Sequence, residues 1–87
     1  MYVVYILFSP SFRKHYTGHT DDLNRRLNEH NVTSEVGYTK RYRPWELLHS
    51  EQFETRSEAI LREKFFKTGV GRDLIKKMIK EKFPMGI

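Results

Sequence analysis

Tyr2-Val3-Val4-Tyr5-Ile6-Leu7-Phe8, then Ser9-Pro10-Ser11, then His15-Tyr16-Thr17-Gly18: this stretch decides how the chain folds. The first run is rich in β-branched and aromatic residues, which predicts a strand. It is apolar on both faces, so it belongs in the middle of a sheet rather than at its edge. Ser9-Pro10-Ser11 is a turn signal. His15 to Gly18 reads as a second, short strand, and the intervening loop allows an antiparallel hairpin. Two tyrosines, Tyr5 and Tyr16, thereby sit on neighbouring strands.

Outward from this hairpin, Asp21 or Asp22 can cap a helix running from Leu23 to about His30. Leu23 and Leu27, four apart, give that helix a buried stripe. Asp22, Arg26 and His30 share a different stripe. Asn31 to Tyr42 is polar and reads as a loop. Trp45 to Phe53 forms a third strand, its entry restricted by Pro44, with Trp45 in the core. Thr55-Arg56-Ser57-Glu58 matches a capping box. The helix it opens runs to about Lys67 and buries Ala59, Ile60, Phe66 and either Leu61 or Phe65. Gly69 and Gly71 read as a break. A last helix spans roughly Arg72 to Phe83, with Leu74, Ile75, Met78 and Ile79 as its apolar stripe. The order β-β-α-β-α-α gives a small α/β fold of the α+β type, its three strands covered by helices.

The chain has 87 residues, which fits one domain spanning 1–87 with a modest core. It has no cysteine, which excludes a disulfide framework and a cysteine-based zinc site. His15, His19, His30 and His49 lack zinc-finger spacing. Met1 to Phe8 is apolar but too short for a signal peptide, and no run reaches the length of a membrane span. The expectation is a cytoplasmic protein without membrane contact. The formal charge is +5, from 16 Lys+Arg against 11 Asp+Glu, which favours polyanionic partners. Arg13, Lys14, Arg25, Arg26, Lys40, Arg41 and Arg43 concentrate that charge in the first half and are the candidate nucleic-acid contacts. Arg72, Lys76, Lys77, Lys80 and Lys82 add a second basic stretch.

Phosphodiester hydrolysis needs an activated water, neutralised charge on the phosphoryl oxygens and help for the leaving oxygen. Glu63 lies mid-helix among apolar residues, a rigid mount for a metal ligand. It reads also as a solvent-facing acid paired with Arg62 or Lys67. One carboxylate implies a hard, oxygen-liganded ion, Mg²⁺ or Mn²⁺. Arg26 offers a bidentate phosphate grip, or pairs with Asp22. His30, one turn on, offers an acid, a base or a phosphate donor. Tyr5 and Tyr16 read as strand packing residues or as proton-transfer groups, the latter requiring a pKa below the usual value of about 10. His19 can accept or relay a proton. Gly18 permits close backbone approach. Tyr38, Tyr42 and Arg43 flank the polar loop, where they stack on a nucleic acid or pin the loop. There is no phosphate-cradling glycine run, no serine or cysteine triad and no two-metal carboxylate cluster.

The ordered set of these residues resembles the GIY-YIG domain, above all its compact single-domain bacterial members. Val4-Tyr5-Ile6 stands at the family's Gly-Ile-Tyr motif, with Tyr5 as the shared tyrosine. Tyr16-Thr17-Gly18 stands for Tyr-Ile-Gly. Asp22-Leu23, Arg26 and His30 follow the family's first-helix pattern. Tyr38-Thr39 and Arg43-Pro44-Trp45-Glu46-Leu47 also resemble this group. Ser57-Glu58-Ala59-Ile60-Leu61-Arg62-Glu63 brings the family's metal-binding glutamate onto Glu63. The resemblance is strongest over residues 2–68. It implies a three-stranded antiparallel sheet flanked by helices and single-metal hydrolysis of a nucleic-acid phosphodiester, without a small-molecule cofactor. It implies that Glu63 holds Mg²⁺ or Mn²⁺ and Arg26 neutralises the scissile phosphate. Tyr5, assisted by His19, would help generate the attacking hydroxide. Tyr16 would orient the phosphate or water, and His30 would assist at a phosphate oxygen.

Tyr-Ile-Gly has become Tyr-Thr-Gly, and no asparagine follows Asn31, although several nuclease branches carry a late one. Larger members append DNA-recognition domains that this sequence lacks. That implies weak sequence specificity or a protein partner that supplies it. Two readings follow: a metal-dependent DNA endonuclease serving repair or turnover of unusual structures, or a non-catalytic nucleic-acid-binding module with the same fold. A third is a partner-binding protein that keeps only the fold. A monomer or weak homodimer fits each.

Overall fold

The computed structural model describes residues 1–33 and 37–84. Three strands, β1 (Tyr2–Ser9), β2 (Lys14–Thr20) and β3 (Glu46–Phe53), form one antiparallel sheet in the order β2-β1-β3. The doubly apolar β1 is central, as its composition requires, and β2 is an edge. Arg13 makes the hairpin turn with a positive φ of 55° and donates its backbone N–H to the Ser9 carbonyl.

Alternation along β1 sorts its side chains between two layers. Val4, Ile6 and Phe8 pack with Leu48, Ala59, Phe66 and Ile75 under α3 (Arg56–Phe66) and α4 (Gly69–Lys82). Tyr5 and Leu7 face the other way, into a smaller cluster with Trp45, Tyr16, Leu23 and Leu27. Leu23 and Leu27 come from α1 (Leu23–Asn28), so the apolar stripe read from that helix covers the second face.

Local chemistry sets the helix ends. The Asp22 carboxylate accepts the Arg25 N–H at 3.1 Å and so starts α1. The capping box at α3 is complete: Thr55 Oγ1 accepts the Glu58 N–H, and the Glu58 carboxylate accepts the Thr55 N–H. Ala59 and Phe66 are buried and Ile60 and Phe65 half-buried, whereas Leu61 is 68 % exposed. Phe65 therefore fills the place left open between the two.

Two expectations change. The first helix does not run regularly to His30. It is α-helical to Asn28 and continues as a π-helical turn, Glu29–Thr33. Much of the expected loop Asn31–Tyr42 is accordingly helical: this turn, and a short α2 (Gly37–Arg41). The wider turn lets His30 point into the sheet, where it is buried. Residues 34–36 of that stretch lie outside the described residues.

Gly69 and Gly71, second, do not separate the last two helices. They open α4, with Thr68 Oγ1 accepting the Gly71 N–H as its cap. Gly71 is buried because α4 begins hard against the end of α3. A Cβ there would collide with the Phe65 carbonyl oxygen and Phe66 Cα. Glycine at this point serves helix contact rather than helix breaking. Among the described residues no helix is long and apolar enough to cross a membrane.

Candidate active site

The candidate residues meet at the β2 edge of the sheet, reaching it from both faces. Tyr5 pairs with Gly18 across β1 and β2. Because Gly18 has no side chain, the Tyr5 ring lies over it: a Cβ on Gly18 would stand 2.6 Å from the Tyr5 hydroxyl and 3.3 Å from the Tyr16 ring. Tyr5 is 1 % exposed, and its hydroxyl shares a 3.0 Å hydrogen bond with His30 Nε2. The Tyr16 and His30 rings lie 4.9 Å apart. His30 is 1 % exposed, and its Nδ1 has no hydrogen-bond partner among the described residues.

Arg26 stands on α1 beside this cluster. Its partner is Glu29, at 3.2 Å, not Asp22. The Asp22 carboxylate caps Arg25, which leaves Arg26 to the acid one turn later. Burial pushes the Tyr5 phenol up to about 12; the adjacent Arg26 guanidinium opposes this, and the charges of Tyr16 and Glu63 add to it. Tyr5 is thus a proton-bearing phenol at neutral pH. His30 is pushed down by burial and by Arg26, so its ring is neutral there.

Glu63 and His19 reach the same edge from the opposite face. His19 pairs with Val4, and so shares the α3 side of the sheet. Its Nδ1 lies 2.6 Å from Glu63 Oε1, and Lys67 donates to Glu63 Oε2 at 2.8 Å. The Glu63 side chain is 19 % exposed. Burial raises its pKa, but Lys67 and His19 outweigh that and hold the carboxyl below the usual range. It remains an ionised carboxylate. The neighbouring Arg62 turns away and grips Glu51 with two bonds, 2.8 and 3.2 Å.

The cations expected to touch nucleic acid divide. Arg13 lies over Phe8 at 4.9 Å and donates to the Phe83 carbonyl. Lys14 and Arg41 both sit 5.6 Å from the Tyr42 ring. Lys40 is exposed. Arg25 pairs with Asp21 at the surface. Arg43 donates through Nε to the His30 carbonyl and so braces the π turn. Tyr38 donates to the His15 carbonyl and stacks on Trp45, ring centroids 6.0 Å apart.

The family model described as the GIY-YIG catalytic domain matches residues 1–77. This chain belongs to the GIY-YIG family. A UPF0213 protein of Listeria welshimeri is 49% identical over 53 residues, covering 61% of this chain and 59% of that protein. A UPF0213 protein of Streptococcus agalactiae is 46% identical over 52 residues, covering 60% and 59%. The match thus spans less than two thirds of these relatives. The solution NMR structure of a UPF0213 protein from Bacillus halodurans superposes with a TM-score of 0.54 at 25% identity, covering 97% of this chain and 92% of that one.

The GIY-YIG resemblance implies a divalent cation, and the donor set tests that. Among the described residues no group of three or more His, Cys, Asp or Glu is gathered, so an all-protein cage of the zinc type does not fit. A single ionised, partly exposed carboxylate on a rigid helix fits a hard cation that keeps its waters and takes phosphate oxygens as further ligands. One neighbour of these residues was missed in the sequence: Glu29 orients Arg26 from three residues on. Lys67 engages Glu63 from four residues on, the pairing its spacing allowed, whereas Arg62 does not. Both spacings are ordinary helical ones.

Proposed function

We propose that this chain is a divalent-metal-dependent endonuclease that hydrolyses phosphodiester bonds in DNA. The observation that carries the reading is convergence. Tyr5, Tyr16, Arg26 and His30 on one sheet face and His19 and Glu63 on the other come together around Gly18 on the β2 edge. A simple binding surface needs cations but has no use for an ionised carboxylate held among them.

Glu63 would hold Mg²⁺ or Mn²⁺, which neutralises charge on the phosphoryl group. Arg26 grips a phosphate oxygen, its fork already oriented by Glu29. Tyr5 is too poor an acid to act alone as a phenolate. Its hydroxyl takes a proton from the attacking water as it passes its own to the neutral ring of His30 through the 3.0 Å bond. A histidine that is 1 % exposed suits such a relay better than direct contact with phosphate. Tyr16 orients the phosphate from the strand edge, and His19 keeps Glu63 aimed.

The test is nicking of supercoiled plasmid with Mg²⁺ or Mn²⁺, with a chelated control and a Glu63→Ala protein purified in parallel. Expected is metal-dependent nicking that falls by about 10²-fold or more in the mutant, the scale of a lost transition-state stabiliser. Equal nicking by both proteins rejects the site. No nicking of plasmid or branched DNA, with salt-sensitive DNA binding intact, supports the binding module instead.

A further inference from the structure

We propose that a cleft between β2 and α4 binds the sugar-phosphate backbone of one unpaired nucleic-acid strand, continuing the active site along the sheet edge. The cleft has a volume of about 730 Å³ and carries Arg13, Lys14, Lys67, Arg72 and Lys76 on its walls, with no carboxylate among its lining residues. These cations come from the hairpin, the end of α3 and α4. Arg72 and Lys76 are four apart and so share one face of α4, whereas Lys77 lies on another.

Three observations point to a strand of nucleic acid rather than a loose anion. The positive field is concentrated: the His15 ring in the wall is pushed down by burial and then by the charges of Arg72 and Lys76. The cleft also holds an aromatic platform, since Tyr38 is 42 % exposed yet fixed by its stacking on the buried Trp45. Cations along a groove with an exposed ring beside them match the way single strands are held. Finally, the cleft is joined to the catalytic residues through Tyr16 and through Lys67, which contacts Glu63. Its volume lies in the range of clefts that enclose a drug-sized molecule, about 300–1,000 Å³. That admits a short run of one strand. The placement beside a scissile bond rests on the nuclease reading; the binding does not.

The experiment is fluorescence anisotropy with a labelled oligothymidylate in metal-free buffer. It compares the wild-type chain, the cleft pair Arg72→Gln with Lys76→Gln, and the control pair Lys64→Gln with Lys77→Gln, which removes equal charge outside the cleft. The slope for single strands, about 0.7 per phosphate contact, makes each lost contact worth roughly fivefold at about 0.1 M salt. The cleft pair is expected to bind about 25-fold more weakly, with its log–log salt slope reduced by about 1.4. The control pair should change little, and Tyr38→Ala should cost about tenfold. Circular dichroism checks the fold, and Lys76→Gln alone, expected about fivefold weaker, replaces the pair if that pair misfolds. Equal weakening by both pairs overturns the proposal, as does a duplex that binds as tightly with the same dependence on Arg72 and Lys76. Metal-dependent nicking with oligonucleotide binding indifferent to these residues sinks the cleft and leaves the nuclease. Binding that follows the cleft pair, with no nicking under any condition, sinks the nuclease and leaves the cleft.

Discussion

Gly18→Ala tests the central geometric claim with one methyl group. Gly18 does not have a positive φ, so alanine has no backbone objection to this position. On propensity alone the change should stabilise a strand by about 0.5–1 kcal/mol. Space decides otherwise. The new Cβ would lie 2.6 Å from the Tyr5 hydroxyl oxygen and 2.8 Å from the ring carbon that bears it. An exposed tyrosine would swing away, but Tyr5 is 1 % exposed and tied to His30. Overpacking of this kind costs about 1–3 kcal/mol, and losing the Tyr5–His30 bond adds about 0.5–1.5 kcal/mol. The steric side prevails, leaving a net loss of about 1–3 kcal/mol after the propensity gain.

Thermal unfolding by circular dichroism reads this directly. At about 4–8 °C per kcal/mol for a domain of this size, the midpoint should fall by roughly 5–20 °C. Nicking should fall further than folding explains, since displacement of a reacting group by about 1 Å costs on the order of 10²-fold. Gly69→Ala is the control: nothing lies within 4 Å of its Cβ position, so it should be neutral or slightly stabilising. A Gly18→Ala protein that melts with wild type and nicks at the wild-type rate would refute the packing of Tyr5 over Gly18. The catalytic grouping would fall with it.

Two other outcomes follow from the same geometry. His30 has a folded pKa below its unfolded value of 6.5, so the unfolded chain binds the extra proton first. Its contribution is full above about pH 6.5 and is lost as pH falls toward the folded pKa; His30→Gln should flatten that part of the denaturant-derived stability curve. Thr55→Ala removes the Oγ1 half of the α3 capping box, leaving the backbone N–H of residue 55 to the Glu58 carboxylate, and should destabilise by about 0.5–2 kcal/mol in urea unfolding, with activity retained under conditions where the protein is folded.

The sheet was legible because strand patterning and turn chemistry are local. Tyr2–Phe8 could be placed at the sheet centre from its two apolar faces alone. The π turn was not legible, since Glu29–Thr33 follows a helical stripe with no glycine or proline to mark a change. What fixes it is distant: Arg43 holds the His30 carbonyl, and Tyr5 holds the His30 ring. Gly69 and Gly71 misled for the opposite reason. A glycine marks a place without a side chain, and only the neighbouring helix shows whether freedom or closeness is required. The site residues were named singly through motif order, but their ion pairs depend on which acid is already engaged. Asp22 was the expected partner of Arg26 until its cap on Arg25 removed it.

The way the site is assembled explains why so few residues can build it. A sheet normally keeps its two faces apart, each with its own cluster of side chains. Here Tyr5 belongs to one cluster and His19 to the other face, although Gly18, the partner of Tyr5, is adjacent to His19 on β2. An edge strand has no further neighbour, and at position 18 the Tyr5 ring takes the space a side chain would fill. On the proposed reading, the Tyr5 hydroxyl and the Glu63 carboxylate would act on one phosphate without either leaving its own layer. Adding bulk at position 18 should therefore separate proton transfer from charge neutralisation. In Gly18→Ala, Glu63 should keep its bonds to His19 and Lys67 while Tyr5 loses its place. Mn²⁺ binding followed by paramagnetic broadening at Glu63 should survive where nicking does not; loss of both together would mean that the two faces are not independent.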